Sequence, residues 1–134
     1  MPVLKNETVP IAGDADVVGA RQVVRQWAGD LGFSLVDQTK IVTAASELAR
    51  NTLIHGGGGT LLLESLTEGT RRGLRLTFED HGPGIPDIEM ALRDGYTTGG
   101  GLGLGLGGAR RLVSEFRIVS RPGEGTRVTV VKWK

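Results

Sequence analysis

The stretch Thr97-Thr98-Gly99-Gly100-Gly101-Leu102-Gly103-Leu104-Gly105-Leu106-Gly107-Gly108-Ala109-Arg110-Arg111 decides how this chain is read. Its first part is a loop that only glycine follows freely. Its end, continued by Leu112 and Val113, has the pattern of an amphipathic helix. Glycine-dense backbone entering a helix N-terminus aims several N–H groups one way, at the positive end of the helix dipole. A polyphosphate suits such a cradle. A flexible linker has a similar composition, but leucines 102, 104 and 106 stand where a linker would carry serine.

Outward from that stretch, glycine remains the compositional oddity, with 22 of 134 residues against a usual share of roughly 7%. The glycines cluster at 56–59, 82–84 and 99–108, so they mark particular loops rather than general disorder. A net charge of +1 from scattered basic residues gives no drive toward nucleic acid or membrane. The few aromatics (Trp27, Phe33, Phe78, Tyr96, Phe116, Trp133) argue against a base-stacking platform. The absence of cysteine excludes disulfides and thiolate metal sites and favours a cytoplasmic setting. The first residues lack the apolar core of a signal peptide, and no stretch is long and apolar enough to span a bilayer. The length predicts one domain over 1–134.

Periodicity then orders the chain. Residues 3–11 read as a strand ended by Pro10 and Gly13. Asp14 or Asp16 can cap a helix to about Asp30, with Val17, Ala20, Val24, Trp27 and Ala28 on one face. Ser34 and Asp37 form a capping-box pattern before a second helix over about 35–54, with Ile41, Ala44, Ala45, Leu48 and Leu53 as its buried stripe. Residues 60–67 and 73–79 predict a hairpin around the polar turn 68–72. A loop over 80–86 follows, then one helical turn at 87–93 and a third long helix ending near Glu115. Residues 116–121 and 126–133 close the chain as a hairpin around 122–125. This order predicts an α+β two-layer sandwich, a mainly antiparallel mixed sheet with the long helices on one face.

Two clusters carry candidate chemistry. Glu47 and Asn51 stand four apart and share a helix face. A carboxamide oxygen suits Mg²⁺, and a neighbouring carboxylate can take a proton from an attacking hydroxyl. The same spacing also describes an ordinary solvated face. His55 continues that face, and His81 has no second histidine at metal-ligand spacing, so neither carries a functional assignment. Asp80-His81-Gly82-Pro83-Gly84 puts an acid at the end of an apolar strand, directly before glycines. Such a carboxylate can accept from the exocyclic amine of adenine, or it can close a turn on its own backbone. Gly103-Leu104-Gly105-Leu106-Gly107-Gly108 has the spacing of a dinucleotide fingerprint, but a loop precedes it and no βαβ unit surrounds it. No P-loop motif is present.

Taken together, these segments resemble the GHKL superfamily of ATP-binding domains, shared by gyrase, histidine kinases and anti-sigma kinases. Glu47-Leu48-Ala49-Arg50-Asn51 is similar to its N box, Asp80-His81-Gly82-Pro83-Gly84 to its G1 box, and 101–106 to its G2 box. Gly123-Glu124-Gly125-Thr126 fits its closing motif. Within the superfamily, Ser46-Glu47-Leu48-Ala49-Arg50-Asn51, the run from Asp80 to Asp87, Asp94-Gly95-Tyr96-Thr97-Thr98-Gly99-Gly100 and the end at Lys132-Trp133 resemble the RsbT-type serine/threonine kinases of bacterial stressosomes.

The resemblance implies a kinase that uses Mg·ATP (with ADP as product) on serine or threonine of STAS-domain partners, the RsbS-like and RsbR-like proteins. It also implies that the released kinase activates an effector such as an RsbU-like PP2C phosphatase. It implies Asn51 as the Mg²⁺ ligand, Glu47 as catalytic base, and Asp80 as receiver of the adenine amine, with Thr126 in support directly or through water. Gly82 and Gly84 would let backbone approach the nucleotide, and Gly101, Gly103 and Gly105 would form a phosphate lid. Arg50 would contact phosphate or partner. The chain departs from the pattern at Thr97-Thr98, where serine is expected, and in a more repetitive G2 run. Anti-sigma factor kinases of the RsbW or SpoIIAB type, and a non-catalytic nucleotide-gated interaction module, are the alternatives.

Overall fold

A computed structural model describes residues 3–93 and 105–134. Strand β1 (Val3–Ile11) leads into helices α1 (Asp14–Asp30) and α2 (Leu35–Ile54). Strands β2 (Gly59–Glu68) and β3 (Arg71–Asp80) follow, then the short helices α3 (Ile88–Ala91) and α4 (Gly105–Arg111). Strands β4 (Glu115–Arg121) and β5 (Gly125–Trp133) complete the sheet.

The two long helices form where their apolar periodicity predicts. Val17, Ala20, Val24, Trp27 and Ala28 are the buried residues of α1, which is the predicted stripe. Its start differs from expectation. Gly13 is the N-cap and offers no side-chain cap, while Asp14 and Asp16 lie inside the first turn. Asp16 instead reaches back, its Oδ2 accepting from the Ala12 N–H at 2.8 Å. A carboxylate there satisfies a donor just before the helix and complements the dipole. The cap of α2 is the expected one, with Ser34 Oγ accepting from the Asp37 N–H at 3.1 Å. Ile41, Ala44, Ala45 and Leu48 are buried, and Leu53 is only half-buried against the core.

The sheet order is β1-β2-β3-β5-β4, and among the described residues every pairing is antiparallel rather than mixed. The β2–β3 turn is tighter than predicted, because both strands extend until only Gly69 and Thr70 lie between them. Leu61, Phe78 and Val128 stand opposite one another across three strands, as do Leu63, Leu76 and Val130. All six are buried and form one core with the inner faces of α1 and α2. Fully burying each such side chain contributes roughly 1.5–3 kcal/mol.

Alternation sends Leu62, Glu64, Thr77 and Thr129 to the opposite face. There Arg75 donates to both carboxylate oxygens of Glu64, at 2.8 and 3.1 Å. That hydrogen bonding holds its guanidinium pKa above the ordinary value.

The third long helix was a wrong expectation. Within the described residues α4 covers only Gly105–Arg111, and Glu115 already belongs to β4. The cause lies in its composition. Three of its seven residues are glycine, each weakening a helix by about 1 kcal/mol relative to alanine.

Candidate functional site

The site forms where the C-terminal end of α2 meets the end of β3. Gly56–Gly59 carry the chain from one element to the other, and Gly59 pairs with Asp80 in the sheet register. This short return places the last turns of α2 beside the last residue of β3.

Asp80 is 8% exposed and firmly oriented. Its Oδ1 accepts from the Gly82 N–H at 2.9 Å and from the Thr126 N–H at 3.2 Å. Its surroundings leave no room for side chains at two points. A Cβ at Gly56 would collide with the Asp80 carboxylate, and one at Gly125 would collide with the Asp80 carbonyl oxygen. Gly125 also has φ +99°, a conformation that disfavours any other residue. Gly82 packs against the Gly56 backbone, so it frames Asp80 as well as following it in sequence.

A cleft of about 290 Å³ opens over this carboxylate. Asn51, Asp80, Gly84, Gly105 and Thr126 line it together, joining five of the residues singled out by sequence. Leu48, Phe78, Ile85, Met90, Leu106 and Val128 supply an apolar wall. His55 lines the cleft and is the C-cap of α2.

Glu47 is buried at 7% exposure, one turn before Asn51, but is outside the cleft lining. Arg50 is half-buried and also outside it. His81 is exposed. The expected lid positions Gly101 and Gly103, with the departures Thr97 and Thr98, lie outside the described residues.

Several residues of the site were not anticipated. The sequence marks Gly56 only as part of a loop cluster of glycines, and Ser120 only as a residue of a strand. Ser120 Oγ accepts from the Ile85 N–H at 2.7 Å and lies 2.8 Å from Thr126 Oγ1. No periodicity marks such a hydroxyl, since it is half-buried in a regularly alternating strand.

The chemistry of the lining is selective. An apolar slot with a fixed acceptor at one end suits a flat heteroaromatic ring carrying an amine. Among the described residues no cluster of three or more His, Asp or Glu is placed to hold a metal by itself. Asn51 supplies one hard oxygen at the cleft wall. A cation that takes most of its ligands from phosphate and water, as Mg²⁺ does, fits such a sparse donor set.

Residues 36–134 match the family described as histidine kinase-, DNA gyrase B-, and HSP90-like ATPase. The chain belongs to that ATPase family. It is 47% identical to the serine/threonine-protein kinase RsbT of Bacillus subtilis, over 93% of this chain and 94% of the relative. It is 32% identical to an anti-sigma F factor of Anoxybacillus flavithermus, over 84% of this chain and 81% of the relative. Among solved structures it matches the RsbU and RsbW domains of a Mycobacterium tuberculosis protein with a TM-score of 0.66 and 23% identity. That match covers 97% of this chain and 33% of the other, and it shows the shared fold. The α+β sandwich and the nucleotide-using family are thus those expected from the motifs.

Proposed function

We propose that this protein is an ATP-dependent serine/threonine protein kinase acting as a partner-switching regulator of a stress pathway, with the whole chain working as one kinase domain. The observation that carries this reading is the cleft in which Asn51, Asp80 and Thr126 converge beside an apolar slot, in a chain 47% identical to a kinase of that class.

In this reading adenine enters the slot, and its amine donates to Asp80, supported by Thr126. Gly82 and Gly84 keep the backbone close to the nucleotide. Gly101, Gly103 and Gly105 belong to the lid over the phosphates, and Arg50 contacts phosphate or partner. Asn51 helps hold Mg²⁺, which when bound neutralises phosphate charge and orients the triphosphate.

Glu47 acts as base. It accepts the proton of an acceptor serine or threonine as the hydroxyl oxygen bonds to the γ-phosphorus and the bond to ADP breaks. Little covalent work is asked of the protein, because phosphoryl transfer depends mainly on alignment and charge neutralisation. The acceptors are STAS-domain proteins of the RsbS-like and RsbR-like kinds. The released kinase then engages an effector such as an RsbU-like PP2C phosphatase.

A second reading, direct retention of a sigma factor, is favoured by the 32% identity to anti-sigma F factors. One experiment separates the two. Labelled γ-phosphate is followed from Mg·ATP to a purified STAS-domain protein from the same genome, with Glu47→Ala in parallel and a sigma-factor binding assay beside it. Transfer by the wild type and its loss in the variant support the kinase reading. Tight sigma-factor binding without STAS phosphorylation supports the second.

A further inference from the structure

Of the two edges of the sheet, β1 is blunted and β4 is open. The register of β1 breaks between Val3 and Lys5. Its side chains are also tied back to α1: Glu7 Oε1 accepts from Trp27 Nε1 at 3.1 Å, and the Lys5 ammonium lies 4.5 Å from the ring centre. Irregularities and inward charges of this kind keep an edge from pairing again. Among the described residues β4 has neither a bulge nor a tie to a helix. It pairs with β5 in unbroken register, and no described strand lies on its other side. Residues 84 and 85 pack against its last two residues, which leaves 115–119 as the free edge. Alternate N–H and C=O groups of such an edge point away from the sheet.

The neighbouring side chains define what would pair there. On the core side Phe116 and Ile118 are only half-buried. On the opposite face Arg117, Val119 and Arg121 are exposed, Val119 at 42%. The acids nearby are already engaged. Glu115 accepts from Trp133 Nε1 at 2.7 Å, and Glu79 accepts from Arg127 at 2.7 Å. Arg117 and Arg121 have no ion pair among the described residues. The surplus extends beyond the strand. Residues 93–134 hold eight of the chain's 16 basic residues and three of its 15 acidic ones, which leaves eight and twelve to the rest.

We propose that the edge of β4 over 115–119 docks an extended segment of a partner protein in which acidic residues alternate with apolar ones. A strand added there sets its side chains beside those of β4, one series on each face. Carboxylates on the outer face meet Arg117 and Arg121, while apolar side chains on the core face cover Phe116 and Ile118. Opposite charges on paired strands attract, and like charges oppose pairing. Main-chain bonds supply affinity in this mode, and the alternation supplies specificity. The inference does not depend on the ATP reading of the cleft.

The probe is a labelled ten-residue peptide alternating Glu and Val, titrated against the full chain by fluorescence anisotropy. Two controls have the same length: an alternating Lys-Val peptide, and a block peptide with every Glu before every Val. The Glu-Val peptide should bind and the Lys-Val peptide should not. The block peptide, which cannot match both faces, should bind about tenfold more weakly, in line with the loss of several cross-strand pairs. Amide hydrogen exchange should slow over 115–119 and stay unaltered along β1. Arg117→Glu combined with Arg121→Glu should weaken binding about tenfold, since two exposed ion pairs become like-charge contacts. Circular dichroism checks the fold. If that variant unfolds, Arg117→Gln with Arg121→Gln takes its place, with an expected loss of about threefold.

A Glu-Val peptide that does not bind overturns the inference. Equal binding of the block peptide overturns it too, because a polyanion would then be attracted without strand pairing. Slowed exchange confined to β1 would place the docking edge on the other side of the sheet. Binding unmoved by the loss of both arginine charges would remove the acidic partner.

Discussion

Two acids are buried beside the cleft, and the chain treats them differently. Asp80 ends a strand, where the following backbone turns back and two N–H groups bind one of its oxygens. Glu47 lies within α2, where backbone N–H groups are already spent on the helix. The first carboxylate is oriented by backbone and by close glycines. The second is placed by its position on the helix and by the packing that buries it. Recognition needs an acceptor that does not move, since adaptation would blur what it recognises. Proton transfer asks instead for a carboxylate within reach of an incoming hydroxyl. The contrast between strand end and helix face therefore matches the contrast between the proposed roles.

The strongest way to break this contrast is at Glu47. Glu47→Ala should lower the phosphoryl-transfer rate by about 10²–10⁴-fold while the ATP dissociation constant stays within about threefold, read by single-turnover kinetics and equilibrium binding. A comparable loss in both quantities would make Glu47 a binding residue and erase the distinction.

Asp80→Asn should do the opposite. The amide oxygen can still accept from Gly82 and Thr126, but the second oxygen becomes a donor. ATP affinity should fall about 100-fold, from loss of a charged hydrogen bond and a donor placed against a donor. Thermal stability should change little. Retained affinity would show that Asp80 closes its turn without meeting a ligand.

Gly56→Ala sharpens the comparison by moving Asp80 without changing its chemistry. The added methyl group meets the carboxylate, so stability should drop by about 1–3 kcal/mol in denaturant titration with ATP binding weakened alongside. The smallest effect belongs to the far end of α2. Ser34→Ala removes the N-cap bond and should cost about 1 kcal/mol of stability, with nucleotide affinity unaltered. A change in affinity there would mean that both ends of the helix share in placing Asn51.

Much of the fold was legible because its signals are local. The stripe of α1, the Ser34 cap and the two hairpins each depend on residues close in sequence, and each formed. The failures came where local signals competed. Asp14 and Asp16 are good capping residues, but Gly13 takes the cap and Asp16 serves from inside the turn. A helical pattern through Ala109 and Val113 was overcome by glycine content and by the pull of β4 into the sheet.

By itself the sequence determined which residues had the right chemistry: an acid before glycines at 80, a carboxylate and a carboxamide one helical turn apart at 47 and 51, and a threonine after Gly125. Such facts follow from residue type and spacing. Only the tertiary structure decided that Asn51, Asp80 and Thr126 share a cleft while Glu47 stands outside its lining, that Gly56 makes room for Asp80, and that Ser120 ties Ile85 to Thr126. Those relations join residues up to 75 positions apart. They arise from sheet register and helix packing, in which each contact depends on how the whole core closes.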